Sequence, residues 1–289
     1  MKNLVVIARA VALILCAAPR VAHAQSAENT SEVAPISTGR PSFSGGTGTT
    51  SVGRVVVENG FSRTRANDGE TINDFPESLI RIGTGKNPEL RLGVPNYLSA
   101  RGGDSGVGDG SLAFRYRFYN NQTTKTTASI TPSLTLAAGN RRFGSPNLDP
   151  VVTFAVARQF SQRTNVVANL IFRAPSKFGG RNNSGGSSDG SGGSGAGSGS
   201  SGISTDSVNT NRNFNVTPSA VVSYSLTPRV GVFLDSYTVL PQRGSSSSVV
   251  DFGTTYLLTN DIQLDASAGF GIGGAAPDNF EGAGVSFRF

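Results

Sequence analysis

From Gly53 to the last residue, the chain is written in segments of about ten residues in which apolar side chains recur at every second position. In Ser111–Tyr119 one face carries Leu112, Phe114, Tyr116 and Phe118, and the other Ser111, Ala113, Arg115 and Arg117. Thr127–Leu136 sets Ala128, Ile130, Pro132, Leu134 and Leu136 against Ser and Thr. Asn213–Leu226 repeats the pattern with Val221 as its one exception, and Asp261–Ile272 sets Ile262, Leu264, Ala266, Ala268, Phe270 and Ile272 against Asp, Gln, Ser and Gly. A helix would repeat its apolar residues every third or fourth position, so these are strands with one apolar and one polar face. The closing stretch Gly282–Phe289 alternates in the same way and ends on an aromatic residue. An open aromatic edge in water would invite aggregation, whereas a closed barrel pairs its last strand with its first and seats the terminal aromatic at the membrane interface.

Weaker members complete the set: Arg54–Arg65, Thr71–Gly83, Glu89–Ala100, Asp149–Gln162, Thr164–Ala174, Arg229–Leu240 and Ser246–Leu258. The expected fold is all-β, a transmembrane antiparallel up-and-down barrel of about 12 strands, an even number as bacterial single-chain barrels require. The connections support it. Tight links at 83–88, 120–125, 161–164, 226–229 and 258–261 alternate with longer ones at 99–110, 139–148, 175–211, 241–247 and 273–281. Short periplasmic turns and longer outer loops give that alternation.

The beginning of the chain reads as an export signal over residues 1–24. Lys2 and Arg9 supply the basic start, Ala10–Ala18 the apolar run, and Ala22-His23-Ala24 a small-x-small cleavage site. The run is too short to span a membrane, and Leu15 before Cys16 argues against lipid attachment. The expected location is the bacterial outer membrane, reached through the periplasm.

Residues 25–289 contain no Cys, His or Met. Without His there is no Ser-His-Asp relay, and imidazole and thiolate metal sites are gone as well. The outer-membrane phospholipases and omptin-type proteases, barrels that depend on a histidine, are thereby excluded, so the expectation is no enzyme, no cofactor and no metal. The net charge of +6 falls to +3 once Lys2, Arg9 and Arg20 leave with the signal. No run of Lys or Arg accompanies the basic balance, so no nucleic-acid partner is expected.

Residues 25–50 are polar, rich in Ser, Thr and Gly, and without period, which predicts a flexible periplasmic tail. Residues 51–289 form the barrel, and the Gly/Ser-rich run 179–202 predicts a disordered insert in an extracellular loop. The alternation turns Glu58, Arg91, Arg115, Arg117, Arg173, Arg229, Asp235, Asp251, Asp265 and Arg288 inward as candidate lumen-lining residues. Charge is costly toward lipid and tolerated in a wet or paired lumen. Such residues either select small solutes at a constriction or pair off as a stiffening fill. The excess of Arg leans a pore toward anions or carboxylated solutes. Gly269–Gly274 continues a strand with no helix after it, so it is no nucleotide loop.

Several stretches resemble a bacterial family in their residues as well as their pattern. Pro76–Val94, Gly108–Tyr116, Asp251–Asp265 and Ala275–Phe280 are similar to proteins labelled for the MetA-pathway of phenol degradation, or simply as outer-membrane transporters. The resemblance covers roughly 51–289 apart from the insert, and implies an outer-membrane barrel that passes small, in part aromatic, compounds. It carries over no site residue. The final strand also resembles the C-terminal signal of outer-membrane proteins, which implies outer-membrane lipids as surroundings and the barrel-assembly machinery as a partner through the strand ending at Phe289.

The expected function is a passive channel for small solutes. The alternative is a sealed structural or surface-interaction barrel.

Overall fold

The alternating segments form strands within a few residues of the expected bounds. The computed structural model describes residues 34–176 and 212–289. The expected signal segment 1–24 and the expected disordered insert 179–202 lie outside the described residues. In chain order the strands are β1 (Val55–Arg65), β2 (Thr71–Phe75), β3 (Leu79–Gly83), β4 (Pro88–Gly93), β5 (Tyr97–Ala100), β6 (Ser105–Val107), β7 (Gly110–Asn121), β8 (Thr126–Leu136), β9 (Asp149–Gln159), β10 (Thr164–Arg173), β11 (Asn215–Ser225), β12 (Val230–Pro241), β13 (Ser247–Thr259), β14 (Ile262–Gly274) and β15 (Asn279–Arg288). All pairings are antiparallel, and β15 returns to β1 in unbroken register from Val56↔Arg288 to Arg65↔Asn279, closing a 12-strand barrel.

Fifteen segments make 12 staves because three staves are broken. β1 pairs with β2 over Ser62–Arg65 and with β3 over Val55–Glu58, so β2 and β3 are two halves of one stave. Pro76 lies between these halves and Pro95 between β4 and β5, and neither residue has an amide hydrogen with which to continue a ladder. Between β6 and β7 the break falls at Gly108-Asp109. At Pro76 and Pro95 the outward parity slips by one residue, from Phe75 to Ile80 and from Leu92 to Tyr97, a slip too small to show in the pattern of a segment of about ten residues.

The strand ends form two rims. Val55 and Phe289 exchange backbone hydrogen bonds at one of them, together with the turns 84–87, 122–125, 160–163, 226–229 and 260–261. This is the periplasmic rim in barrels of this class. At the other rim, only 137–148 and the connection from 174 to 214 are long. The gaps 101–104, 242–246 and 275–278 are as short as the periplasmic turns, because the hairpin β5–β6 and strands β12–β15 run further out than the turn residues suggest.

The outer face carries the large apolar side chains. Leu112, Phe114, Tyr116 and Phe118 on β7, Leu234 on β12, Phe252 and Tyr256 on β13, and Phe270 on β14 all stand exposed. Phe154, Phe172 and Phe214 form an aromatic row across the outside of β9–β11, with centroids 6.2 and 6.1 Å apart. Apolar groups pointing away from the lumen around the ring are what a lipid environment rewards. Inside, Val221, the residue that broke its segment's alternation, packs with Ala157, Val167 and Phe233.

Candidate functional site: a charged lumen crossed by the N-terminal segment

On one side of the lumen, β1, β3 and β4 supply a closed ionic network. Arg81 bonds Glu58 at 2.7 Å and Glu89 at 3.0 Å, and Arg91 Nε bonds Glu89 at 2.6 Å. None of these four side chains is more than 3% exposed. Arg81 and Arg91 face each other directly in the β3–β4 register, an arrangement that would repel without the carboxylate of Glu89 between them. Charges this deep persist only when paired and hydrogen-bonded.

The segment expected to be a flexible tail supplies much of that hydrogen bonding. From Ala34 to Thr50 it lies inside the barrel, and the tail reading is corrected for these residues; 25–33 lie outside the described residues. The Ile36 amide bonds the Asn260 carbonyl at the periplasmic rim. The chain then rises past Glu58, which accepts the Gly39 amide at 2.8 Å. Arg40 pairs with Glu77 at 2.6 Å and lies 3.4 Å from Asp265. Phe43 stacks on Tyr237 of β12, with centroids 3.8 Å apart. The path next crosses the lumen: Ser44 bonds Asp235 on β12, Gly45 accepts from Asn169 on β10, and Gly46 and Gly48 accept from Arg115 on β7. It descends through Thr47, bonded to Thr127 at the foot of β8, to Thr50, whose amide and hydroxyl both bond Glu89 at the foot of β4. An irregular backbone has no ladder of its own, so its polar groups must find partners on the wall, and inward Glu, Asp, Arg and Asn provide them.

The wall is shaped for the segment as well. Gly60 of β1 and Gly284 of β15 are register partners. A Cβ at Gly60 would stand 2.2 Å from Arg40 Cζ, and one at Gly284 would stand 2.5 Å from Arg40 Nε. Together the two glycines leave a notch for the guanidinium.

Asp235 and Asp251, opposite one another on β12 and β13, have no ion-pair partner among the described residues, and both Asp251 carboxylate oxygens lack hydrogen-bond partners. Asp265 on β14 follows them around the wall and shares Arg40 with Glu77, which lies between β2 and β3. Strands β3, β4, β7 and β10 hold Arg81, Arg91, Arg115 and Arg173, of which Arg81 and Arg91 are paired with Glu58 and Glu89. Beside the segment lies a cavity of about 80 Å³, lined by Phe43, Leu79, Arg91, Arg115, Asn169 and Arg173 among others, with no acid in its lining.

Of the residues expected to line the lumen, Glu58, Arg91, Arg115, Asp235, Asp251 and Asp265 are buried inside. Arg173 is half-buried at the outer end of β10. Arg117 is half-buried near the periplasmic rim, donating to the Lys86 carbonyl. Arg288 caps the same rim with an ion pair to Asp261 at 2.6 Å. Arg229 does not face the lumen: it is exposed in the turn before β12, one residue outside the strand whose alternation it was assigned to. Arg81, Glu89, Glu77 and Arg40 belong to the site and were missed. Ile80 and Ile82 flank Arg81, and Leu90 lies between Glu89 and Arg91, so the inward parity of β3 and β4 stands in the sequence.

A closed 12-strand antiparallel barrel, apolar outside and charged within, is the fold of a bacterial outer-membrane β-barrel. The model of the family described as "Putative MetA-pathway of phenol degradation" matches residues 38–289, and the chain belongs to that family. The match takes in most of the lumenal segment. Among solved structures, an outer-membrane channel from Pseudomonas putida F1 is similar at 14% identity, with a TM-score of 0.56 over 83% of this chain and 97% of that one. The NanC porin is similar at 10% identity, with a TM-score of 0.51 over 81% of this chain and 98% of that one. These likenesses are of fold. No curated protein matches the chain in sequence.

Proposed function

We propose that the protein is a passive outer-membrane channel for small solutes, aromatic compounds among them, with a path narrowed by residues 34–50. The observation that carries this reading is the lumen itself. Inward positions are filled by Ser, Thr, Asn and charged residues, and among the described residues Asp235 and Asp251 on β12 and β13 and Arg115 and Arg173 on β7 and β10 have no ion-pair partner. A barrel built only for rigidity gains more from an apolar interior, because buried ion pairs seldom outdo well-packed hydrocarbon. A charged, hydroxyl-rich interior is the lining through which polar solutes pass. The family description and the porin-type fold support the same reading, and the link to aromatic compounds rests on the family description.

One observation favours the second reading, a sealed barrel. The segment bonds wall strands on every side of the lumen, and the cavity beside it is small. Liposome swelling separates the two. Liposomes holding the folded full chain swell in isotonic small solutes if the path is open, and remain like empty liposomes if it is sealed.

A further inference from the structure

We infer that the cavity beside the lumenal segment is a binding site for a small carboxylate with a short apolar body; this deepens the channel reading and rests on it. Three guanidiniums line the cavity, and no carboxylate does. Arg91 is 3% exposed, and while its Nε is taken by Glu89, its Nη2 has no partner among the described residues. Arg173 has no ion-pair partner among the described residues, and its Nε is also unsatisfied. Arg115 is held by the Thr131 hydroxyl and by the carbonyls of Gly46 and Gly48, which fix its position without cancelling its charge. A buried guanidinium N–H without an acceptor is costly, and a carboxylate is the acceptor whose planar geometry fits it. Asn169, whose amide donates to the Gly45 carbonyl, reaches the same space.

The other lining groups decide what the carboxylate is attached to. Leu79 and Ile171 are buried apolar residues, and Phe43 of the segment closes one side. A volume of about 80 Å³ is smaller than the roughly 150 Å³ that holds benzene in a sealed core. The site therefore seats the carboxylate and a few carbons, and any larger body extends into the open lumen. Because Phe43 and Gly45 belong to the segment, the bound solute touches both the wall and the element that narrows the path.

The test is calorimetric titration of the folded full chain in detergent micelles with sodium propionate, and separately with 1-propanol, its neutral counterpart. Saturable heat with propionate and none with propanol is expected. Arg173→Gln, which breaks no ion pair, should weaken binding about tenfold, the loss of one charge-assisted contact. Arg91→Gln should weaken it at least as much where it folds, and Arg158→Gln, on the outer face, should leave it unchanged. No saturable heat with propionate, equal binding of propanol, or wild-type affinity in Arg173→Gln would overturn the site. Propionate binding in a barrel that passes no current would uphold the site and sink the channel; current without binding would do the reverse.

Discussion

Ser44 gives both its backbone amide and its hydroxyl to the carboxylate of Asp235, at 2.7 and 2.6 Å, across 191 positions of sequence. The two bonds hold the crossing part of the N-terminal segment to β12, next to the stack of Phe43 on Tyr237. Breaking them should free the segment before it harms the barrel. With Ser42→Cys as the sole thiol after residue 24, maleimide labelling should run about tenfold faster in Asp235→Ala than in the Asp235 background, as befits the loss of about 1.4 kcal/mol of holding energy. Equal rates would mean that other contacts hold the segment.

The glycine notch makes a separate prediction about the same segment. Gly60→Val puts side-chain atoms where the Arg40 guanidinium lies, so Arg40 must leave Glu77 and Asp265. The barrel should still fold, since Gly60 is in a strand and Val favours strands. Proteolysis of the segment should become faster, and a protected segment in Gly60→Val would count against the notch.

Arg81 should matter more for stability than any single group of the segment. Arg81→Ala leaves Glu58 and Glu89 buried with fewer cations, and breaking a buried pair in this way costs about 3–5 kcal/mol. The folded band on a heat-modifiability gel should be lost at a markedly lower temperature than in wild type. Unchanged melting would show that water reaches the network freely.

Asp251 predicts the opposite sign. Its carboxylate faces Asp235 and has no hydrogen-bond partner, so Asp251→Asn should melt no lower than wild type. Removing a negative charge from the lumen wall should also raise the preference for anions, read as a shift in reversal potential under asymmetric salt. An unchanged reversal potential would show that Asp251 does not act on a conducting path.

The outer face is tested by Leu234→Arg, at an exposed position in the body of β12. Arg facing lipid near the midplane costs about 2–4 kcal/mol. Folding yield into vesicles should fall, while the same substitution at the rim residue Leu258 should cost less.

The barrel was legible because a two-residue period survives local irregularity. Even Val221 announced itself as an apolar residue on the inward side, and it packs there with Phe233. The broken staves were not legible, since the outward parity slips by one residue at each proline, from Phe75 to Ile80 across Pro76 and from Leu92 to Tyr97 across Pro95, and a one-residue slip inside a short stretch is lost in its alternation. Arg229 was misplaced by extending a strand's alternation one residue into its turn. The lumenal segment was the largest miss. Its structure comes from contacts with β1, β4, β7, β10 and β12, and a stretch without a period carries no mark of such partners. The signals present were Ile36, Arg40 and Phe43, three side chains that a solvated tail has little use for.

The central claim is that solutes pass through this lumen, and planar-bilayer conductance of the folded full chain tests it most directly. The account predicts discrete steps of current, with larger steps when residues 34–50 are deleted and the crossing segment no longer narrows the path. A full-length barrel that inserts, shows heat-modifiable folding and carries no current would contradict it, and would leave a sealed, structural barrel as the reading of this fold.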